Sequence, residues 1–306
     1  MRVVALLAAV VLTSLAGCGD DGAEPGASSE ATLVLDFSPN AVHAGLYAAV
    51  DRGWFADEGL ELEIRAPGES TDAPKLLEAG RTEFAVLDIN DWGISRERGL
   101  DLVPVAALVQ VPLAAVIAGD RDAVRRPSDL EGLTVGVTGL PSDDAVLDRV
   151  VASDGGDPAE VDRTTIGFDA VAALSAGRVD AATAFWNAEG VALRELGVPT
   201  REFRVGEVTG ELFPELIVVA PRELVDSDPE LVDALRAGVE RGYALASDDP
   251  EGALDALLAA EPGLEPGVQE AQMAALTAAE AFSAGAEPGA IDPPRIANWR
   301  AFARGR

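Results

Sequence analysis

"KLLEAGRTEFAV" (residues 75–86) and "AALSAGRVDAAT" (residues 172–183) carry one pattern twice: a helix tail, Gly-Arg, one further residue, an acid, then an apolar run. Glycine just past a helix enters the left-handed region without a Cβ clash, so each copy predicts helix, stop, strand. Two copies predict two lobes built from one kind of unit. Before the first copy, apolar runs at 32–35 and 60–64 alternate with helices from Ala41 and Asp72. After it come a strand at 84–87, a helix near Asp91 and an apolar run over 102–118. A second series follows Pro127: "SDLEGLTVGV" (128–137), helices over 142–153 and 169–176, a strand at 181–185 and a helix from Asn187. The alternation predicts α/β structure with mostly parallel strands. After a further apolar run at 213–219 only helices follow, their starts marked by Asp228-Pro229, Asp249-Pro250 and Pro266. The expected division is lobe 1 over 32–117 and 218–306 and lobe 2 over 118–217. Crossings are expected near 117–122 and 212–218, with the C-terminal helices returning to lobe 1.

The chain opens with MRVVALLAAVVLTSLAGC: one cation at Arg2, an apolar run over 3–12, then Leu-Ala-Gly-Cys at 15–18. This is the form of a lipoprotein signal peptide over residues 1–17, with Cys18 as the lipid anchor. The run is shorter than the roughly 20 apolar residues that a membrane crossing takes. Residues 18–31 are small, polar and turn-rich, and predict a flexible tether. An extracytoplasmic monomer, lipid-anchored to the outer face of the cell membrane, is expected. Cys18 is the sole cysteine, which excludes an intrachain disulfide and a cysteine nucleophile in the folded body. With 53 acidic and 23 basic residues the net charge is −30, a surface that repels phosphate backbones and excludes nucleic acid as a partner. One histidine cannot build a multi-histidine metal centre. No glycine-rich phosphate loop or Ser/His/Asp arrangement stands out, so no metal, cofactor or enzymatic activity is expected.

That histidine, His43, lies in "LDFSPNAVHAGLYAA" (35–49). Asp36 and Phe37 end the first strand, Pro39 stops it, and Asn40 is a favoured N-cap. Val42, Leu46, Ala49 and Val50 are expected to form the core stripe of the helix, with Asn40, His43 and Tyr47 on the neighbouring stripe. This puts an imidazole and a phenol at the carboxyl end of a strand, where open α/β sheets bind ligands. "DINDW" puts Asp88, Asn90, Asp91 and Trp92 at the end of the next strand, either to read a ligand edge or to cap the following helix. "AFWNAEG" does the same with Trp186, Asn187 and Glu189. An aromatic there can stack on a flat heterocycle and a carboxylate can accept from an exocyclic amine, although Glu189 equally suits a helix first turn. In "TGLPSDDAV" (138–146), Gly139 and Ser142 offer donors at a helix start while Asp143 and Asp144 oppose a phosphate, which favours an unphosphorylated ligand. Arg178 and Arg204 reach the site only if the lobes turn them inward.

"LDFSPNAVHAGLYAAVDRGWFADEGLELEI" (35–64) and "APKLLEAGRTEFAV" (73–86), together with "SDLEGLTVGV" and "DDPEGALDALLAAEP" (248–262), resemble bacterial solute-binding proteins. The resemblance is to the type II periplasmic-binding fold, in the branch that carries the thiamine pyrimidine precursor, related to alkanesulfonate binders and to the yeast-type pyrimidine synthase. It covers nearly all of 32–303. It implies a two-lobed α/β fold with a hinge and an interlobe ligand cleft, in a binding protein that delivers its ligand to ABC permease and ATPase subunits. The implied ligand is of hydroxymethylpyrimidine or formylaminopyrimidine type, with a riboflavin-like molecule, an aliphatic sulfonate or nitrate as the alternative. The expected binding set is Asp36, Phe37, Asn40, His43, Tyr47, Asp88, Asn90, Asp91, Gly139, Ser142, Trp186, Asn187 and Glu189. Synthase chemistry in the yeast-type relatives needs a lysine, a histidine and a cysteine-rich motif. This chain has Leu87 and Asp91 at the first two places and no cysteine beyond Cys18, so the resemblance implies a binder and not an enzyme.

Overall fold

A computed structural model describes residues 28–67, 73–119 and 124–304. The expected signal peptide, Cys18 and the tether as far as residue 27 lie outside the described residues. The chain first runs through β1 (Ser29–Val34), α1 (Ala44–Asp51), α2 (Trp54–Asp57), β2 (Leu60–Arg65), α3 (Ala73–Glu78), β3 (Phe84–Asp88), α4 (Ile89–Glu97) and β4 (Leu102–Ala107). It continues with β5 (Ala114–Gly119), β6 (Thr134–Val137), α5 (Pro141–Ser153), β7 (Asp162–Thr165), α6 (Ala170–Ser175), β8 (Ala181–Phe185), α7 (Glu189–Glu195), β9 (Thr200–Arg204) and α8 (Val205–Thr209). β10 (Leu216–Pro221) leads into α9 (Arg222–Ser227), α10 (Pro229–Asp248), α11 (Pro250–Ala260), α12 (Pro266–Ala278) and α13 (Pro293–Arg304).

The strands form two five-stranded sheets, ordered β2-β1-β3-β10-β4 and β7-β6-β8-β5-β9. The repeated sequence unit supplies corresponding strands of the two sheets. After α3, Gly80 (φ +61°) donates to the carbonyl of Leu77 and Arg81 to that of Leu76; after α6, Gly177 (φ +62°) donates to Leu174 and Arg178 to Ala173. This pair of bonds satisfies the last helical carbonyls and turns the chain into the strand. The acid two residues beyond the arginine also repeats its task. Glu83 accepts from Thr32 N at 2.8 Å beside β1, and Asp180 accepts from Thr134 N at 2.9 Å beside β6.

The sheets are mixed where mostly parallel strands were expected. β1 pairs in parallel with β2 and β3, and β6 with β7 and β8. β10 and β5 run antiparallel to both their neighbours, because each enters its sheet from the opposite lobe. The apolar run at 102–118 is therefore two strands in different sheets. The crossings lie at 108–113, between β4 and β5 and ahead of the expected 117–122, and at 210–215, between α8 and β10 and overlapping the expected 212–218. They run side by side: Leu108 N donates to Leu216 O at 2.8 Å and Glu215 N to Val109 O at 3.1 Å. β1 starts at Ser29, inside the expected tether, because Ser29–Ala31 pair with Leu60–Leu62.

The central strands β3 and β10 are buried along almost their whole length, whereas β2 at the edge alternates, as position in a sheet covered on both faces demands. α10 and α11 begin where expected: Asp228 and Asp249 accept from the backbone N–H of Leu231 and Gly252, with proline at the first helical position. Val50 is 44% exposed, contrary to its expected core role. Residues 41–43 form a tighter 3-10 turn before α1, the stretch 41–49 is buried throughout, and Val50 stands beyond it in the last turn of α1. The C-terminal helices do more than return to the first lobe. On α13, Trp299 stacks against Trp92 at 5.2 Å, while Phe302 meets Phe213 of the second crossing and lies under Arg149 of α5.

Candidate ligand-binding cleft

The cleft lies where the carboxyl ends of β1 and β3 face those of β6 and β8. Its cavity encloses about 160 Å³, near the size of an engineered cavity that accepts one benzene ring. From the first lobe, Asp36 and Phe37 follow β1, Asn40 caps the turn beyond, Asp88 ends β3 and Asp91 stands in the first turn of α4. From the second, Ser142 opens α5, and Asn187 and Glu189 follow β8. Each is placed by a strand end leading into a helix start, the geometry that delivers short polar side chains to one crevice.

The other expected residues do not line the cavity. His43 is fully buried behind Asp36. Its Nδ1 accepts from Asn40 N at 3.2 Å, so the ring proton sits on Nε2, which donates to Asp36 Oδ1 at 2.9 Å. The imidazole thus fixes the rotamer of a wall carboxylate. Tyr47 donates to Glu261 at 2.8 Å, and burial, with Glu261 adding to it, pushes its phenol up. Asn90 is buried and accepts from Trp299 Nε1 at 3.0 Å. Gly139 turns the loop ahead of α5 with φ +97°. Trp186 is buried, donating to Pro112 O at 3.0 Å, and its ring face is taken by Arg204 at 4.4 Å. Arg204 and Arg178 point elsewhere, toward Glu202 and Asp169.

Several wall residues are absent from the expected set. Phe168, in the loop before α6, brings its ring centroid within 5.8 Å of that of Phe37 on the opposite lobe, and Phe185 ends β8 at the wall. The sequence offered a signal for Phe168, an aromatic beside Gly167 at a helix start. Asp143 lines the cavity too, accepting from Thr138 N at 2.6 Å and from the Thr138 hydroxyl. Behind the wall stands Glu215, wholly buried, whose Oε2 accepts from Leu113 N at 2.5 Å and Ala114 N at 2.8 Å. Asp88 accepts from Asn90 N at 2.5 Å and lies beside the Glu215 carboxyl, which tightens its hold on a proton.

Five carboxyls, Asp36, Asp88, Asp91, Asp143 and Glu189, line the cavity, and among the described residues no lysine or arginine does. Burial, then the negative charge of Glu215, pushes Asp88 up. Burial, then the Asp88 charge, raises Asp91 to about 7, and Ser142 donates to Asp91 across the cleft. Burial likewise raises Asp143 and Glu189. Each group holds its proton more tightly folded than unfolded, so folding takes up protons between the unfolded value, near 3.8 for Asp91, and the folded one. Stability contributed this way is present at low pH and lost as pH rises through about 7. The melting temperature of the ligand-free protein is expected to fall between about pH 5 and pH 8, and Asp91→Asn to flatten the fall. A melting temperature that rises across that interval in both proteins is the contrary result in a pH series by scanning calorimetry.

Comparisons with known proteins bear on the family and the fold. The family described as NMT1/THI5 like matches residues 40–253. The formylaminopyrimidine-binding protein of Halalkalibacterium halodurans is 31% identical over 259 residues, 84% of this chain and 78% of that one. The 4-amino-5-hydroxymethyl-2-methylpyrimidine phosphate synthase of Legionella pneumophila is 25% identical over 239 residues, 77% of this chain and 75% of that one. Among solved structures, the periplasmic aliphatic sulphonate binding protein SsuA of Escherichia coli shares the fold with a TM-score of 0.72 at 16% identity, each chain covered to 90%.

Proposed function

The chain belongs to the NMT1/THI5 like family, and from that premise we propose that it is the extracytoplasmic binding component of an ABC importer, taking up an amino-substituted pyrimidine of the thiamine-precursor type. The observation that carries this reading is the lining of the cleft: five carboxyls from two lobes around a space for one ring, with no cation among the described residues on its walls. Aminopyrimidines present N–H donors in the ring plane and π faces above and below it. Phe37, Phe168 and Phe185 would meet the faces, while Asp91, Glu189 and the unpartnered Oδ1 of buried Asn187 would accept from the edge. Sulfonate and nitrate, which call for arginine, lysine or clustered backbone donors, find carboxylates there. A flavin exceeds the space of a single ring.

In the same reading, residues 1–17 are the signal peptide, Cys18 carries the lipid anchor, and a monomer moves on its tether to the permease. The two crossings act as the hinge on which the lobes, 29–107 with 216–304 and 114–209, shut over the ligand. The protein is read as a binder: Leu87 and Asp91 stand where the yeast-type synthase chemistry needs lysine and histidine, and Cys18 is the sole cysteine.

The test is a thermal-shift comparison of the purified protein with 4-amino-2-methylpyrimidines, taurine, nitrate and riboflavin. At about a hundred times Kd a pyrimidine is expected to raise the melting temperature by roughly 5–10 °C, the other three leaving it unchanged. Stabilisation by taurine or nitrate alone overturns the reading.

A further inference from the structure

Asp91, Asp143 and Glu189 come from three helix first turns, one in the first lobe and two in the second, and meet at the cavity wall. Asp91 and Glu189 both feel the charge of Asp143 across that space. Buried charges in proteins are otherwise paired or bound to a cation. Here the nearby cations are held by other groups: Arg204 by Trp186 and Glu202, Arg163 by Asp144 and Asp148, Arg149 by the Phe302 ring, and Arg96 by Trp92. His43 already has Asp36 and Asn40 as partners. Hydroxyls reach two of the acids but bring no charge: Thr138 donates to Asp143, which Thr183 also meets, and Ser142 meets Asp91. Glu189 uses one oxygen to accept from Phe185 N at 3.0 Å, and Asn187 adds a buried acceptor without a partner.

From these acceptors without a countercharge we infer that the cleft selects by charge, taking an amino-substituted single-ring heterocycle that bears an aliphatic ammonium in preference to its acylated or hydroxylated neutral counterpart. Asp91, Asp143 and Glu189 are the residues that set this preference, with Asp36, Asp88 and Glu215 the further acids behind or beside them. The inference rests on the pyrimidine reading above and goes beyond it, since an acyl cap on the amine abolishes the charge while leaving the ring recognition intact. Entry of the cation favours ionisation of the surrounding carboxyls, so binding releases protons.

The experiment is titration calorimetry of the full chain, at about pH 7.5, with the 5-aminomethyl, 5-formylaminomethyl and 5-hydroxymethyl derivatives of 4-amino-2-methylpyrimidine. The aminomethyl compound is expected to bind about tenfold or more tighter than either neutral one. Its binding heat is expected to vary with the ionisation enthalpy of the buffer, reporting proton release. Asp143→Asn is expected to lower affinity for the aminomethyl compound about tenfold while changing that of the formyl compound by less than about threefold, whereas Glu189→Gln, which also loses an acceptor for the ring edge, is expected to weaken both, the aminomethyl compound about threefold more than the formyl. Equal or tighter binding of a neutral compound by the unmodified protein overturns the charge inference and leaves the pyrimidine reading standing. Failure of all three to bind overturns both.

Discussion

Glu215→Ala is expected to destabilise the protein by about 4 kcal/mol in urea unfolding. The wholly buried carboxylate accepts from the backbone N–H groups of Leu113 and Ala114, where the first crossing enters β5. Its own backbone belongs to the second crossing, bonded to Val109 O, and its carbonyl accepts from Ile89 N at 2.9 Å. One side chain therefore ties together both segments that pass between the lobes. Alanine leaves two buried donors without an acceptor, at roughly 1–3 kcal/mol each, and opens a space beside them. Glu215→Gln keeps an oxygen for the two N–H groups and is expected to cost less than about 1.5 kcal/mol. Equal losses in the two variants would show that volume alone, and not the hydrogen bonds, holds the crossing.

Gly242→Ala is the second large effect, with an expected loss of about 3 kcal/mol and a melting temperature lowered by roughly 6–12 °C. A Cβ at this position of α10 would lie 2.1 Å from the carbonyl oxygen of Gly45 on α1. The obstacle is backbone, so no rotamer change relieves it and the two helices have to separate. Gly45 faces the same restriction, since its own Cβ would lie 2.9 Å from the ring of Tyr243, whose hydroxyl donates to Val42 O at 2.7 Å. That contact fixes the turn carrying Asn40 and His43, so separation of α1 and α10 also disturbs the first-lobe wall of the cleft. Gly267→Ala on α12, where an added Cβ meets nothing within 4 Å, is the control and is expected to be neutral or slightly stabilising. A Gly242→Ala protein that melts with the unmodified one would mean that the helices part at little cost.

The sequence was readable wherever local chemistry governs. The Gly80 and Gly177 stops, the proline-led helix starts and the polar residues at strand ends all depend on neighbours a few positions away. Asp36, Asp88, Asp91, Asn187 and Glu189 are legible in this way, each as a polar residue at a strand end leading into a helix or turn, and all five line the one cavity. Side-chain direction was not readable in the same way. Tyr47 turns to Glu261 and Asn90 to Trp299, partners far along the chain. Trp186 sits one residue past a strand end, where the alternation of sides sends it inward while Phe185 and Asn187 face the cavity. Glu215 precedes an apolar run like many a surface acid, and only the adjacency of the two crossings reveals that it is buried. Strand direction in β5 and β10 was hidden for the same reason, since antiparallel entry follows from a chain that has just come from the other lobe.

Phe37 and Phe168 meet at 5.8 Å from opposite lobes, each exposed on one side and facing the cavity on the other. On the reading proposed above, two phenyls in contact narrow this side of the cleft, and a ring-shaped guest would pass them as the lobes part. The dwell time of such a guest would then depend on the frequency of parting as well as on the strength of the polar contacts inside. Tightening the grip deep in the cleft and widening the aromatic rim would thus act on separate quantities, equilibrium occupancy in one case and the speed of hand-over in the other.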